Sequence, residues 1–184
     1  RMTRAALALA LAVAAGCAAP KTPPLARFDP AAGYRYAAAA TEAPDPHEEI
    51  FVALAFSGGG TRAAAFAYGA LEALRDTPLG GGRTMLDEVD VISSVSGGSF
   101  AAAHFALFGP EAFFRDFPQA VLQRPIETDL ALRLFAPWHW PALLSPWYGR
   151  GDLADDYYAD AIFGERTFAD LPARPFVVLN ATDI

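Results

Sequence analysis

The sequence predicts an α/β fold with a buried, mainly parallel sheet. Three short apolar runs have the length of strands, and stretches with helical spacing of apolar residues lie between them. Strands that alternate with helices at such intervals are typical of layered α/β sheets. With 184 residues, of which 53% are hydrophobic and 19% charged, the chain has the length of a single domain and is too apolar to be disordered.

Each element has its own local signal. The run 50–56 is continuously apolar and ends at a glycine cluster, which indicates a strand buried on both faces. Apolar residues at helical spacing, closed by turn residues, predict the helices. The predicted strands are 50–56, 89–94 and 175–179, and the predicted helices are 62–75, 100–108, 110–122 and 151–163.

Residues 1–16 are predicted to be a signal peptide. Arg1 and Arg4 supply positive charge, and the apolar run from Ala5 to Ala19 is shorter than the roughly 20 residues that span a bilayer. Small residues directly before Cys17 resemble the lipobox of bacterial lipoproteins, which implies lipid modification of Cys17 and export to the periplasmic side or outer membrane. The alternative is an ordinary secretory signal with a chance cysteine.

Residues 17–49 follow as a segment rich in proline and alanine. Six prolines lie between positions 20 and 46, and no apolar periodicity is sustained there. Because proline disrupts both helices and strand ladders, this segment is predicted to be a lipid-anchored tether or a wrapping arm. The folded domain is expected to begin near Ile50 and to occupy residues 51–184.

Charge and cysteine usage exclude several classes of function. The net charge is −7 and Lys21 is the single lysine, so we expect no nucleic-acid partner. An acidic chain gains nothing from anionic lipid headgroups, so membrane attachment is expected through acyl chains. Cys17 and three scattered histidines do not form a Cys/His metal cluster, and we expect neither a metal nor another cofactor.

A glycine turn, Ser57–Arg62, joins the first predicted strand to the first helix. Gly58, Gly59 and Gly60 let the backbone approach a bound group, and the helix N-terminus favours negative charge. A phosphate loop would need a lysine, and a dinucleotide fingerprint would need glycine where Ala63 stands. An oxyanion hole is therefore the better candidate, although the turn alone is weak support.

A serine turn, Ser94–Gly98, follows the second predicted strand. The predicted order is that of a nucleophile elbow, in which a strand leads through a sharp turn with a central serine, here Ser96, into a helix. Such an elbow needs small residues two positions before and two positions after the serine. Gly98 meets this requirement, and Ser94 is a small substitute for glycine. The alternative is that Ser96 is a helix N-cap.

The two turns together resemble the patatin-like phospholipase family. Leu54–Arg62 followed by Gly69–Leu74 looks like the opening of that family, Asp90–Ser99 is similar to its nucleophile segment, and Asn180–Asp183 resembles a later segment. The resemblance covers residues 51–184. It implies a three-layer fold with a mainly parallel central sheet and helices on both faces, here incomplete at its C-terminus.

The resemblance also implies residue roles and an activity on lipids or other acyl esters. Ser96 matches the nucleophile, Gly58, Gly59 and Gly60 match the oxyanion hole, and Arg62 and Gly98 match supporting positions. The family uses a Ser–Asp dyad, and its Asp-Gly-Gly or Asp-Gly-Ala motif is absent here. The catalytic aspartate is therefore expected beyond this chain, and the fragment alone is expected to be inactive.

Two other functions stay open at the level of sequence. A Ser–His–Asp esterase would use His104 or His139, the histidines that follow Ser96, and Asp183 could supply a carboxylate. A lipid-anchored binding module without catalysis would use the glycine turns for packing alone.

The segment 135–148 contains all three tryptophans and three prolines. Amphipathic rings suit a boundary between apolar and aqueous surroundings, so the segment is predicted to border the acyl-binding cleft. The alternative is that its rings cover a sheet edge or fill a satellite core.

Overall fold

The computed structural model describes residues 27–42 and 50–182. The predicted signal peptide, Cys17 and Asp183 lie outside the described residues. Among those described, no helix combines the length and the hydrophobicity needed to cross a bilayer.

Five strands and six α-helices are described. The strands are β1 (Val52–Phe56), β2 (Pro78–Gly80), β3 (Arg83–Thr84), β4 (Val89–Val95) and β5 (Phe176–Asn180). The helices are α1 (Tyr36–Glu42), α2 (Gly60–Arg75), α3 (Gly97–Phe117), α4 (Ile126–Phe135), α5 (Trp140–Leu143) and α6 (Arg150–Tyr158). Short 3₁₀ and π turns occur at Met85–Glu88, Pro118–Leu122, Pro137–His139, Ala159–Phe163 and Phe168–Asp170.

The chain divides into two compact units. One unit, here the sheet unit, comprises Asp29–Arg124 and Glu165–Ile184. The other comprises, of the described residues, 27–28 and Pro125–Gly164, and we call the stretch Pro125–Gly164 the helical region.

The sheet unit contains a parallel sheet with the order β1-β4-β5. β4 is central, and its Ile92 is fully buried between Leu54 of β1 and Val177 of β5 in the register. Helix α3 packs against the sheet, and α2 packs against α3. The α/β fold with a parallel sheet flanked by helices is confirmed.

The amino end of the sheet is held by Asp90. A bulge between Val52 and Ala53 leaves Asp90 without a partner in the register. Its carboxylate accepts a hydrogen bond from the Val52 N–H at 2.8 Å and pairs with Arg174, just before β5, at 3.0 Å. One side chain thus ties the starts of all three strands together.

The prediction that β1 is buried on both faces was wrong. Ala53 and Ala55 are exposed, whereas Phe56 is buried and Val52 and Leu54 are half-buried. Within the described part of the chain, β1 is an edge strand with one covered face. A continuous apolar run therefore does not guarantee that both faces of a strand are buried.

Helix α3 contains a break where the sequence predicts the end of one helix and the start of another. Gly109 has φ 77° and ψ 169°, and Pro110 follows it. Both sides of the break are helical, in agreement with the helices predicted over 100–108 and 110–122. Phe113 and Phe117 beyond the break are fully buried and stack with ring centroids 4.7 Å apart.

Besides the short helices α1 and α5 and the 3₁₀ turns, two features have no counterpart in the sequence prediction. The first is the small β2–β3 hairpin, whose strands are only three and two residues long. The second is helix α4, which begins directly after Pro125. In the helical region α4 packs against α6, and the Tyr157 hydroxyl donates to the Asp129 carboxylate at 2.8 Å.

Residues 29–42 of the predicted tether belong to the sheet unit. The ring of Tyr34 stacks on Phe176 of β5 with centroids 4.5 Å apart. Its hydroxyl donates to the Pro172 carbonyl at 3.2 Å and accepts from the Val177 N–H at 2.9 Å. The short helix α1 follows. Tyr36, the first residue of α1, also contacts Phe176, with ring centroids 5.4 Å apart.

His104 of α3 is buried, with 3% of its surface exposed. Its ring lies 4.6 Å from that of Phe108 and 5.3 Å from that of Phe117, and its Nδ1 has no hydrogen-bond partner. Burial lowers the pKa of His104, and the negative charge of Asp116 offsets this effect only in part.

We expect this histidine to make the fold sensitive to acid. The unfolded state binds a proton near the usual histidine pKa of about 6.5, while the folded state disfavours the protonated ring. Stability is therefore lost as the pH falls from 7 to 5. His104→Leu should show a smaller loss between these two pH values than the wild type, measured as the free energy of unfolding in urea. An equal loss in both proteins would contradict the prediction.

Candidate active site

The glycine turn and the serine turn lie at the same edge of the sheet. The glycine turn follows β1 and the serine turn follows β4, and these strands are parallel neighbours with Phe56 in register with Ser94. In open α/β sheets, ligands bind outside the carboxyl ends of the strands. The topology therefore brings the two predicted site segments together.

The backbones of the two turns are in close contact. A methyl group built on Gly97 would lie 2.1 Å from the carbonyl oxygen of Gly60, and one built on Gly58 would lie 3.3 Å from the Ser96 Cβ. A methyl group on Gly98 would lie 2.7 Å from the Phe56 Cβ. Glycine is thus required at 97 and 98 because β1 and its turn occupy the space of any side chain.

Ser96 is held in a strained backbone conformation. Its φ of 50° and ψ of −120° make it the one non-glycine residue with positive φ in the described part of the chain. Strain of this kind costs about 1–3 kcal/mol and is concentrated at functional sites. Ser96 is exposed, and its side chain makes no hydrogen bond that caps α3. Ser96 therefore occupies the N-cap position of α3, but its side chain does not cap the helix.

Two helices begin at this place. Helix α2 starts at Gly60, after Gly59 with φ 139°, and α3 starts at Gly97. The first-turn N–H groups of a helix have no partner within it, and the helix dipole adds positive potential there. Neither helix has a side-chain cap or an acidic residue in its first turn. The arrangement favours negative charge beside the Ser96 hydroxyl.

Comparison with models of known protein families identifies the family of this chain. A family model described as Patatin-like phospholipase matches residues 54–183. The chain belongs to the patatin-like phospholipase family. The family is one of lipid acyl hydrolases, and the resemblance stated from the two turns is confirmed. Comparison with curated proteins gave no match, and neither did comparison with solved structures.

Arg62 stands in the first turn of α2 and is exposed. A cation at a helix N-terminus opposes the dipole, so helix stability does not explain its presence there. Ala63, the next residue of α2, is half-buried.

Asn180, at the end of β5, adds a contact that the sequence pattern does not reveal. Its amide donates to the Ser93 Oγ and to the Ser94 carbonyl, both at 3.0 Å. The buried Ser94 side chain donates in turn to the Val178 carbonyl at 3.2 Å. Ser94 is thus more than a small substitute for glycine, since these bonds fix the strand that leads into Ser96.

The structure gives His104 a packing position. A catalytic histidine needs a carboxylate or similar group on its second nitrogen, and the Nδ1 of His104 has no partner. His139 lies in the helical region. Within residues 27–42 and 50–182, no three His, Cys, Asp or Glu side chains are placed to hold a metal ion together.

We expect alanine at Gly97 and at Gly69 to have opposite effects on stability. Gly97→Ala forces a methyl group against the Gly60 carbonyl and should destabilise the fold by at least about 2 kcal/mol. Gly69 is exposed on helix α2 with no atom within 4 Å of a built methyl group, so Gly69→Ala should stabilise by about 0.5–1 kcal/mol. Unfolding in urea measures both. A Gly97→Ala protein as stable as the wild type would show that the turns do not touch.

Proposed function

We propose that the chain carries the nucleophile and the oxyanion hole of a serine hydrolase that cleaves acyl esters of lipids. The observation that carries the proposal is the position of Ser96, which has a strained backbone, does not cap α3 with its side chain and lies beside the glycine turn. A methyl group built on Gly58 would lie only 3.3 Å from the Ser96 Cβ. Membership of a lipid acyl hydrolase family supports it independently.

In the proposed first step, the Ser96 Oγ attacks the ester carbonyl carbon while its proton passes to a carboxylate. The carbonyl π electrons move onto oxygen, and N–H groups of Gly58, Gly59 and Gly60 bind that oxyanion. Collapse of the intermediate breaks the bond to the leaving oxygen, which takes the proton. Water then releases the fatty acid from Ser96 by the same route.

The carboxylate is the part that the sequence does not supply. The family's Asp-Gly-Gly or Asp-Gly-Ala motif does not occur in this sequence. We propose that the base is an aspartate of the full-length protein beyond residue 184, so that this chain alone is inactive. Arg62 and Gly98 would support the site, Gly98 by allowing the close approach to β1.

A binding module without catalysis is the competing function. Close packing of the glycine turns would suit such a module equally well. A strained backbone at Ser96 would cost the module free energy without contributing to binding. Covalent labelling by a fluorophosphonate probe separates the two, since only an activated serine reacts.

We expect Ser96→Ala in the full-length protein to reduce ester hydrolysis by about 10⁵-fold or more, to background, because the nucleophile is gone. The melting temperature should stay the same, since one small turn residue replaces another. Rates on p-nitrophenyl esters and fluorophosphonate labelling are the measurements.

Ser145→Ala makes the same chemical change at a serine outside both turns and serves as the control. It should keep wild-type activity and labelling. Wild-type hydrolysis by the Ser96→Ala protein would exclude Ser96 from the mechanism.

We also propose that the protein is exported and anchored to a membrane through acyl chains on Cys17. The support is the stretch of small residues before the single cysteine, behind a short apolar run.

Cys17→Ala should move the protein from the membrane fraction to the soluble fraction. Mass spectrometry of the wild type should show the acyl groups. Unchanged partitioning without an acyl mass shift would contradict the proposal.

A further inference from the structure

The helical region carries an exposed apolar groove with polar groups in its wall. We call it the aromatic groove, a cavity of about 610 Å³ whose wall includes Leu132, Arg133, Phe135, Trp138, His139 and Asp160. Leu132, Phe135 and Trp138 are 66%, 74% and 77% exposed. Large apolar side chains this exposed, and gathered on one cavity, are typical of a binding surface.

The exposed apolar surface extends along the chain beyond the groove. Trp140, Leu144 and Trp147 are each more than half exposed, so the interpretation of this segment as a satellite core was wrong. All three tryptophans of the protein thus reach solvent. Tryptophan is enriched where proteins meet the headgroup level of a membrane, because its ring is apolar and its N–H is polar.

The charges of the groove indicate whether a zwitterionic or an anionic lipid surface is the better partner. Arg133 donates to the Asp160 carboxylate at 3.0 Å and lies 5.0 Å from the centre of the Tyr157 ring. The groove therefore presents a neutral pair rather than a basic cluster. Across 125–164, six carboxylates stand against two arginines, so an anionic bilayer would be repelled.

We propose that the aromatic groove docks the protein onto a zwitterionic phospholipid surface. The rings of Phe135 and Trp138 and the side chain of Leu132 enter the headgroup level. Arg133 faces the lipid phosphate, and Asp160 faces the amine. The proposal deepens the proposed function and rests on it for the need to reach a lipid surface, but docking itself requires no hydrolysis.

The tryptophans provide a local readout of docking. This chain has tryptophan only at positions 138, 140 and 147, so replacing by phenylalanine any tryptophan that the full-length protein carries outside residues 1–184 makes its tryptophan emission report this segment. The experiment uses the full-length protein with Ser96→Ala, which leaves the vesicles intact. Vesicles of dibrominated phosphatidylcholine should quench the emission, and vesicles of dibrominated phosphatidylglycerol should quench it far less.

The variants test the groove while keeping every tryptophan. Leu132→Ala with Phe135→Ala should weaken the apparent vesicle affinity, read from quenching, by about tenfold or more, since apolar area is removed. Arg133→Gln should weaken binding to phosphatidylcholine by a few-fold. Phe66→Ala, which truncates an equally exposed ring in the sheet unit, is the matched control and should bind like the parent.

Three results would overturn the proposal. One is the absence of quenching in the parent protein, or equal quenching in the double variant and the Phe66→Ala control. Another is preference for phosphatidylglycerol. The third is self-association of the parent that the double variant abolishes, which would make a second copy the occupant. Failure of the proposed function would appear separately, as absence of hydrolysis and of fluorophosphonate labelling in protein that carries Ser96 and still docks.

Discussion

The close approach of Gly60 and Gly97 is the contact on which the candidate site depends. Gly97 has no room for a side chain because the Gly60 carbonyl occupies that space, and Gly60 itself has a φ of 60° that favours glycine. Two helix N-termini and a strained serine therefore share one small volume. A conformation that costs free energy at Ser96 persists only because both flanking elements are fixed. Burial of Ile92 and Val177 in the sheet and of Phe113 behind it supplies that rigidity.

The two ends of the parallel sheet perform different tasks. At the amino end, Asp90 joins β1 to the segment before β5 through a backbone N–H and Arg174. At the carboxyl end, Asn180 holds the backbone of β4 just before the serine turn. Polar side chains at the amino end thus close the strands together, and those at the carboxyl end set the position of a single exposed hydroxyl. This division is common in α/β sheets, where the carboxyl ends carry ligands.

Local signals account for the elements that could be predicted from the sequence. Short apolar runs predict the strands of the sheet, and the glycine and serine turns predict the two segments that meet at its edge. The contact of Asn180 with Ser93 spans 87 positions, and no local pattern encodes it. The exposed face of β1 was missed for a related reason, because periodicity reports which residues are apolar and not what covers them.

The helical region shows where composition alone misleads. A segment rich in tryptophan, phenylalanine and leucine has the composition of a core, yet Leu153 and Tyr157 of α6 form the buried centre there and the tryptophans lie outside it. Prolines at 137, 141 and 146 interrupt the regular helix that could have folded those rings inward. The short turns they leave keep amphipathic rings at the surface. The same kind of apolar side chain that fills the interior of the sheet unit is therefore held at the surface of the helical region.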